Sequence, residues 1–283
     1  MVRRAVVAGT FYPGTRERLK EQIRQCFMHP LGPQRIPQVG SKRTIKGAIV
    51  PHAGYAYSGH VAAHCYAEIA ENGFPETFII LGPNHTGQGS GVALVTRGSW
   101  ETPLGKVPID EENAVQLNRG IIDEDEKAHQ FEHSIEVQLP FLQYFKDFKF
   151  IPISMALQDL QTAREIGEIL GSITTDAIVI ASTDFSHVGP HYMQISPPGK
   201  RVDKWTAEQD HSAIEKILTL DERDFMKTVS EKNISMCGYG CVTALLIAVK
   251  KMGATKAQLL KYGTSYDVTP GASCVGYGAL VFE

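Results

Sequence analysis

Residues 46–59, KGAIVPHAGYAYSG, carry a short apolar run that breaks into a proline, a histidine and a glycine-rich turn. The same construction recurs as TFIIL into GPNHTG over 77–87 and as AIVIAS into TDFSHVG over 177–189. Apolar, β-branched runs without period-2 alternation describe strands buried on both faces, the kind found in parallel sheets. Each of the three delivers a histidine just past its end: His52, His85 and His187.

A further run, FKFIPI at 148–153, has the same character, and helical patterns fill 58–72, 132–146 and 160–172. That alternation predicts an α/β fold with parallel strands covered by helices. Ahead of it, 14–28 reads as a helix and 30–44 as a proline-broken connection. Residues 91–109, GVALVTRGSWETPLGKVPI, have turn residues at Gly98 and in TPLG, which suggests an antiparallel excursion. After a loop at 188–203, helices are expected at 205–218, 221–230 and 240–252. Strands at 257–264 and 274–282 then complete a mixed sheet. With no fixed-period repeat and no long linker, 283 residues are expected to form a single domain over 1–283.

Composition narrows the partners. Lysine and arginine total 28 against 31 acidic residues, a net charge of -3, so no global field favours nucleic acid or an anionic membrane. A small-molecule or peptide ligand is expected. The apolar run before Gly9 and Pro13 is too short for a signal-peptide core, and no stretch approaches the roughly 20 apolar residues of a membrane span, which suggests a cytoplasmic protein. The 5 cysteines are scattered, odd in number and without C-x-x-C spacing, so thiols are expected and a zinc ribbon is not.

In an open α/β sheet the carboxyl ends of parallel strands line the ligand crevice, which would bring His52, His85 and His187 to one edge. Cys237, in ISMCGYGCVTALLIAVKK, precedes an apolar helix whose dipole would favour a metal-ligating thiolate; it reads equally as a small buried residue. His129, Glu132 and His133 fit H-x-x-E-H, a zinc-hydrolase pattern in which two histidines bind metal and the glutamate is the base. Otherwise His133 is an acid/base facing the crevice, and Glu132 and Ser134 cap a helix. Asp184 and His187 would pair, the carboxylate fixing the imidazole tautomer, unless Asp184 simply closes an Asx-turn. Tyr55, Tyr57 and Arg97 are candidate donors to a ligand.

PHAGYAYSG, LGPNHTG, SWETPLG, EHSIEVQLPFLQ, STDFSH, CGYG and SYDVTPGASCVGYGALVF together resemble the Memo family (mediator of ErbB2-driven cell motility), across nearly the whole chain. The resemblance implies an α/β/α sandwich around a central mixed sheet, similar to class III, LigB-type extradiol dioxygenases. It implies metal ligands at His52, His85 and Cys237, with catalytic roles for His133, Asp184 and His187. Those dioxygenases keep a carboxylate where this chain has Cys237, and the softer thiolate favours copper(I), zinc or iron with altered redox behaviour. The family connection also implies iron or copper binding, redox chemistry, phosphotyrosine-peptide recognition in animal members, and radical-SAM and AMMECR-type protein partners in prokaryotes. Three functions are therefore expected in order: a metal-dependent, dioxygenase-like oxidoreductase, a peptide- or ligand-binding protein using the same crevice, and a zinc hydrolase.

Overall fold

The computed structural model describes residues 2–173, 176–192 and 194–283. The chain opens with β1 (Val2–Arg3), α1 (Arg16–Met28), β2 (Gly47–Val50), α2 (Tyr55–Asn72) and β3 (Thr77–Pro83). Then come β4 (Val92–Leu94), β5 (Ser99–Thr102), β6 (Gly105–Pro108), α3 (Glu111–Leu117), β7 (Asp123–Glu124) and α4 (Leu139–Gln143). The second half runs β8 (Lys149–Met155), α5 (Leu160–Leu170), β9 (Ala177–Ser182), β10 (His187–Val188), α6 (Val202–Leu218) and α7 (Glu222–Glu231). It ends with α8 (Tyr239–Lys251), β11 (Ala257–Thr264) and β12 (Cys274–Phe282).

The main sheet has the order β10-β12-β2-β9-β3-β8-β4-β7, with β11 paired on β12. Its centre, β2-β9-β3-β8, is parallel, and antiparallel β12 and β4 flank it. The crossover from β2 to β3 and the one from β8 back to β9 run in opposite directions across the sheet. Because such crossovers are right-handed, α2 and α5 fall on opposite faces. α2 packs on β2, β11 and β12 with α1 behind it, while α5 packs on α8, which covers β9, β3 and β2. The expected α/β/α sandwich with a mixed sheet is thus present.

Burial explains why the apolar runs became central strands: every residue of β2, β3, β9 and β12 is buried. α8 approaches closely because β2 begins with a glycine. A methyl group on Gly47 would stand 2.6 Å from Val249 Cγ1 and 2.7 Å from Leu245 Cδ1.

The antiparallel excursion expected over 91–109 is present and divides: β4 joins the main sheet antiparallel to β8, while β5 and β6 form an antiparallel hairpin in a separate sheet with parallel β1. Two expectations need correction. No continuous helix fills 132–146; a 3-10 turn at Glu136–Gln138 leads into the short α4. Pro140 supplies no N–H there, and Glu132, Ser134, Glu136 and Gln138 are all buried with hydrogen-bond partners of their own. The loop expected at 188–203 is shorter at both ends, since Val188 belongs to β10, which pairs with β12, and α6 starts at Val202. Among the described residues no helix is long and apolar enough to cross a membrane.

Arg3 fastens the irregular segment in place. Its guanidinium donates to the His129 carbonyl (2.7 Å) and the Glu132 carbonyl, and pairs with Glu136 at 2.7 Å. Glu136 also accepts from Val6 N, Val7 N and the Tyr12 hydroxyl. Arg3→Met would strand that carboxylate, which is fully buried. The variant is expected to lose about 3 kcal/mol of unfolding free energy in urea titration, whereas breaking the exposed Arg24–Glu21 pair with Arg24→Met should give no measurable loss.

Candidate metal centre

Three neighbouring strands of common polarity bring the site residues to one edge. In the sheet register Val50 faces Ser182, and Ala181 faces Leu81. Continuing past those ends, the chain places His52, Asp184 and His85 at one rim, with Cys237 entering from the turn before α8 and His133 from the irregular segment. One ring nitrogen each from His52, His85 and His133 lie within 4.8 Å of one another, close enough to hold a metal ion. The rings of His85 and His133 stack at 4.7 Å, and His52 meets both nearly edge-on.

His52 and His85 are held through hydrogen bonds at Nδ1, and His133 Nδ1 lies beside Glu132, which leaves each Nε2 available to a ligand or metal. His52 Nδ1 lies 3.0 Å from Ser182 Oγ. That hydroxyl already donates to the Ser134 carbonyl (2.6 Å) and accepts from Gln138 (2.7 Å), so it accepts from the ring. Glu132 serves the other two: its Oε1 is 3.0 Å from His85 Nδ1 and 3.3 Å from His133 Nδ1. The same carboxylate accepts the backbone N–H groups of His85, His133 and Ser134.

Cys237 Sγ sits 3.3 Å from His52 Nε2 and accepts the Asp184 N–H at 3.2 Å. Gln158 bonds the carbonyl of Cys237, and Thr183 bonds the N–H of Gly238, fixing the turn. Burial, reinforced by Asp184, pushes this thiol up to about 12. Against the helix-dipole expectation, desolvation disfavours the thiolate of Cys237, which lies ahead of Gly238, the N-cap of α8. Such a thiol ionises when a metal displaces its proton.

Desolvation, added to by the neighbouring imidazoles, holds His52 well below the usual histidine range. Burial also lowers His133, against the pull of Glu132. Burial alone would raise Glu132, but the hydrogen bond and charge of His85 and the Ser134 N–H outweigh it and hold the carboxyl at about 2. Asp184 is pushed up by burial despite the opposing influence of His187. Burial thus disfavours the charged form of His52 and His133, while Glu132 is held ionised beside them.

An open cleft of about 470 Å³ fronts these groups, walled by His52, His85, His133, His187, Tyr57 and Tyr277. His187 is in the cleft but outside the three-imidazole group. Asp184 does not orient it: Asp184 Oδ1 accepts from the N–H groups of His52 (2.9 Å) and Ala53 (3.3 Å), while His187 Nδ1 lies 3.1 Å from the Ser235 carbonyl.

His129 is elsewhere. Its Nε2 bonds the Ala93 carbonyl at 3.1 Å and its ring meets Trp100 edge-on, so the H-x-x-E-H reading fails and Glu132 serves as an acceptor for imidazoles. Tyr55 is buried with its hydroxyl on the Val137 carbonyl, and Arg97 lines a different cavity. The sequence reading missed Ser182 and Gln138, which only packing reveals, and the double role of Glu132, for which a carboxylate beside His133 was a signal.

A parallel-centred α/β sandwich with an imidazole cluster at its strand ends defines the class of protein. A family model described as Memo-like protein matches residues 3–281, and the chain belongs to that family. It is 49% identical to a MEMO1 family protein of Methanopyrus kandleri over 100% of this chain and 99% of the relative. A MEMO1 family protein of Methanothermobacter thermautotrophicus is 47% identical, with 99% and 100% covered. The crystal structure of an uncharacterized Escherichia coli K12 protein matches with a TM-score of 0.54 at 14% identity, covering 84% of this chain and 99% of that one, a likeness of fold alone.

Buried neutral histidines make the fold acid-sensitive. His129, held down to about 4 by burial and by Arg3, takes up its proton in the unfolded chain near 6.5 but in the folded protein only near 4. Its contribution is whole above pH 6.5 and is lost as pH falls toward 4. Urea titrations at pH 7, 6 and 5 should show stability falling on acidification, with a slope shallower by about 1.4 kcal/mol per pH unit in His129→Gln.

Proposed function

We propose that this protein is a metal-dependent oxidoreductase that holds one iron or copper ion through His52, His85 and Cys237 and acts on a small substrate in the adjoining cleft. The observation that supports Cys237 beside His52 is the 3.3 Å between His52 Nε2 and Cys237 Sγ, and His85 joins through its place with His52 in the imidazole group. Two ligands of one tetrahedral ion, at about 2.0 and 2.3 Å from it, stand roughly 3.5 Å apart. Imidazoles together with a thiolate suit iron, copper or zinc, the last being redox-silent. When bound, iron or copper would supply a redox-active centre beside the cleft.

The chain's own groups handle position and protons. Ser182 and Glu132 aim His52 and His85, and Asp184 ties down the backbone of His52. His187, anchored on Ser235, accepts a proton from the substrate, and His133 returns one across the cleft. Among the described residues the cleft walls include no lysine or arginine, which favours a small phenolic substrate over a phosphorylated peptide.

His133 as third ligand in place of Cys237 is the second reading, supported by the close approach of the three imidazoles. Cobalt(II) substitution separates the two. The wild type is expected to show a thiolate-to-metal charge-transfer band in the near ultraviolet, absent in Cys237→Ser. Its absence in the wild type, with uptake abolished by His133→Gln, would make the imidazole triad the ligand set. Glu132→Gln should weaken metal affinity about 10- to 100-fold. After anaerobic loading with iron(II), dioxygen consumption with a panel of phenols is expected in the wild type and not in His85→Ala. Metal uptake without turnover across the panel would end the enzymatic reading.

A further inference from the structure

On the other side of the segment that carries Glu132 and His133 lies a second cavity of about 440 Å³. Its wall is apolar where Val95, Trp100 and Ile109 close it, all of them buried. The mouth carries the exposed side chains of Val2, Val6 and Phe131. Around that mouth stand Arg4, Arg97 and Lys127, whose side chains make no ion pair or hydrogen bond among the described residues; Glu126 is the one acid in the lining. Arg3 also lines the cavity, but Glu136 neutralises it. His129 completes the wall. It is 1% exposed, its Nε2 is committed to the Ala93 carbonyl, and its Nδ1 has no partner.

We propose that this cavity is a binding site for a small apolar carboxylate, separate from the histidine cleft. The volume falls within the roughly 300–1,000 Å³ of small-ligand sites. An apolar body would cover Val95, Ile109 and the exposed Val2, Val6 and Phe131, while the acid group would meet the unpaired guanidinium of Arg97 and the ammonium of Lys127 at the rim. Three unspent cations against one carboxylate give the mouth an excess of positive charge in a chain whose net charge is -3.

The test uses the full chain with Trp205→Phe, which leaves Trp100, in the cavity wall, as the sole tryptophan reporter. 1-Naphthylacetate and decanoate are titrated by calorimetry and by Trp100 fluorescence, with 1-naphthylacetamide as the uncharged match. At least one of the two acids should bind one-to-one with a change at Trp100, and the amide about tenfold or more weaker than its acid. Arg97→Gln/Lys127→Gln, two exposed positions, should weaken acid binding about tenfold and leave the amide unchanged. His85→Ala should leave both unchanged, so that failure of the metal reading does not touch this one. Equal affinity for acid and amide, loss of binding in His85→Ala, or no saturable binding of either acid would overturn the proposal.

Discussion

The carboxylate of Glu132 receives the His85 imidazole and three backbone N–H groups, with the His133 ring 3.3 Å away, while almost wholly buried. Much of the surrounding structure is arranged to make that possible. A helix through residues 132–146 would have spent the same backbone groups on its own ladder and carried the carboxylate away from His85. The chain therefore stays irregular, and its stability comes from outside the segment, through Arg3 on the carbonyls of His129 and Glu132 and through Glu136 on the N-terminal arm. A buried charge is tolerated where its lone pairs are filled, and here they are.

Beneath the cleft a second polar network works the same way. Tyr66 donates to Gln138, Gln138 donates to Ser182 and to the Pro51 carbonyl, and Ser182 receives His52. Each member reports on the next, so the ring of His52 is held by a chain of satisfied groups reaching into α2. Networks of this kind are rigid when complete and costly when any member is removed. They belong to a site whose donors are set before anything binds, which is what a metal or substrate needs if it is not to spend affinity on ordering side chains.

How much of this was legible in the sequence follows from which forces are local. KGAIV, TFIIL and AIVIAS announced themselves because full burial erases alternation, and His52 and His85 followed from where parallel strands end. Helix positions from 160 onward were likewise readable from periodicity. His133 was recognised as facing the crevice, yet its company with His52 and His85 depends on a segment whose helical pattern is overridden by buried polar partners. His129 and Glu132 fitted a helical zinc motif that requires regular spacing on one face, and without a helix the motif has no geometry. Asp184 and His187 are close in sequence, but each found a backbone partner first. At Cys237 the local field argument gave way to desolvation, a quantity that only tertiary packing sets.

The position of β9 bears on how the protein comes together. β2 and β3, which carry His52 and His85, are not hydrogen-bonded to each other; β9, the last of the four parallel strands in the chain, lies between them. Until residues 177–182 insert, nothing holds the two histidine-bearing strands one strand apart. A nascent chain leaving the ribosome therefore displays its imidazoles long before it has a centre, and long-range pairing of this kind is slow to form.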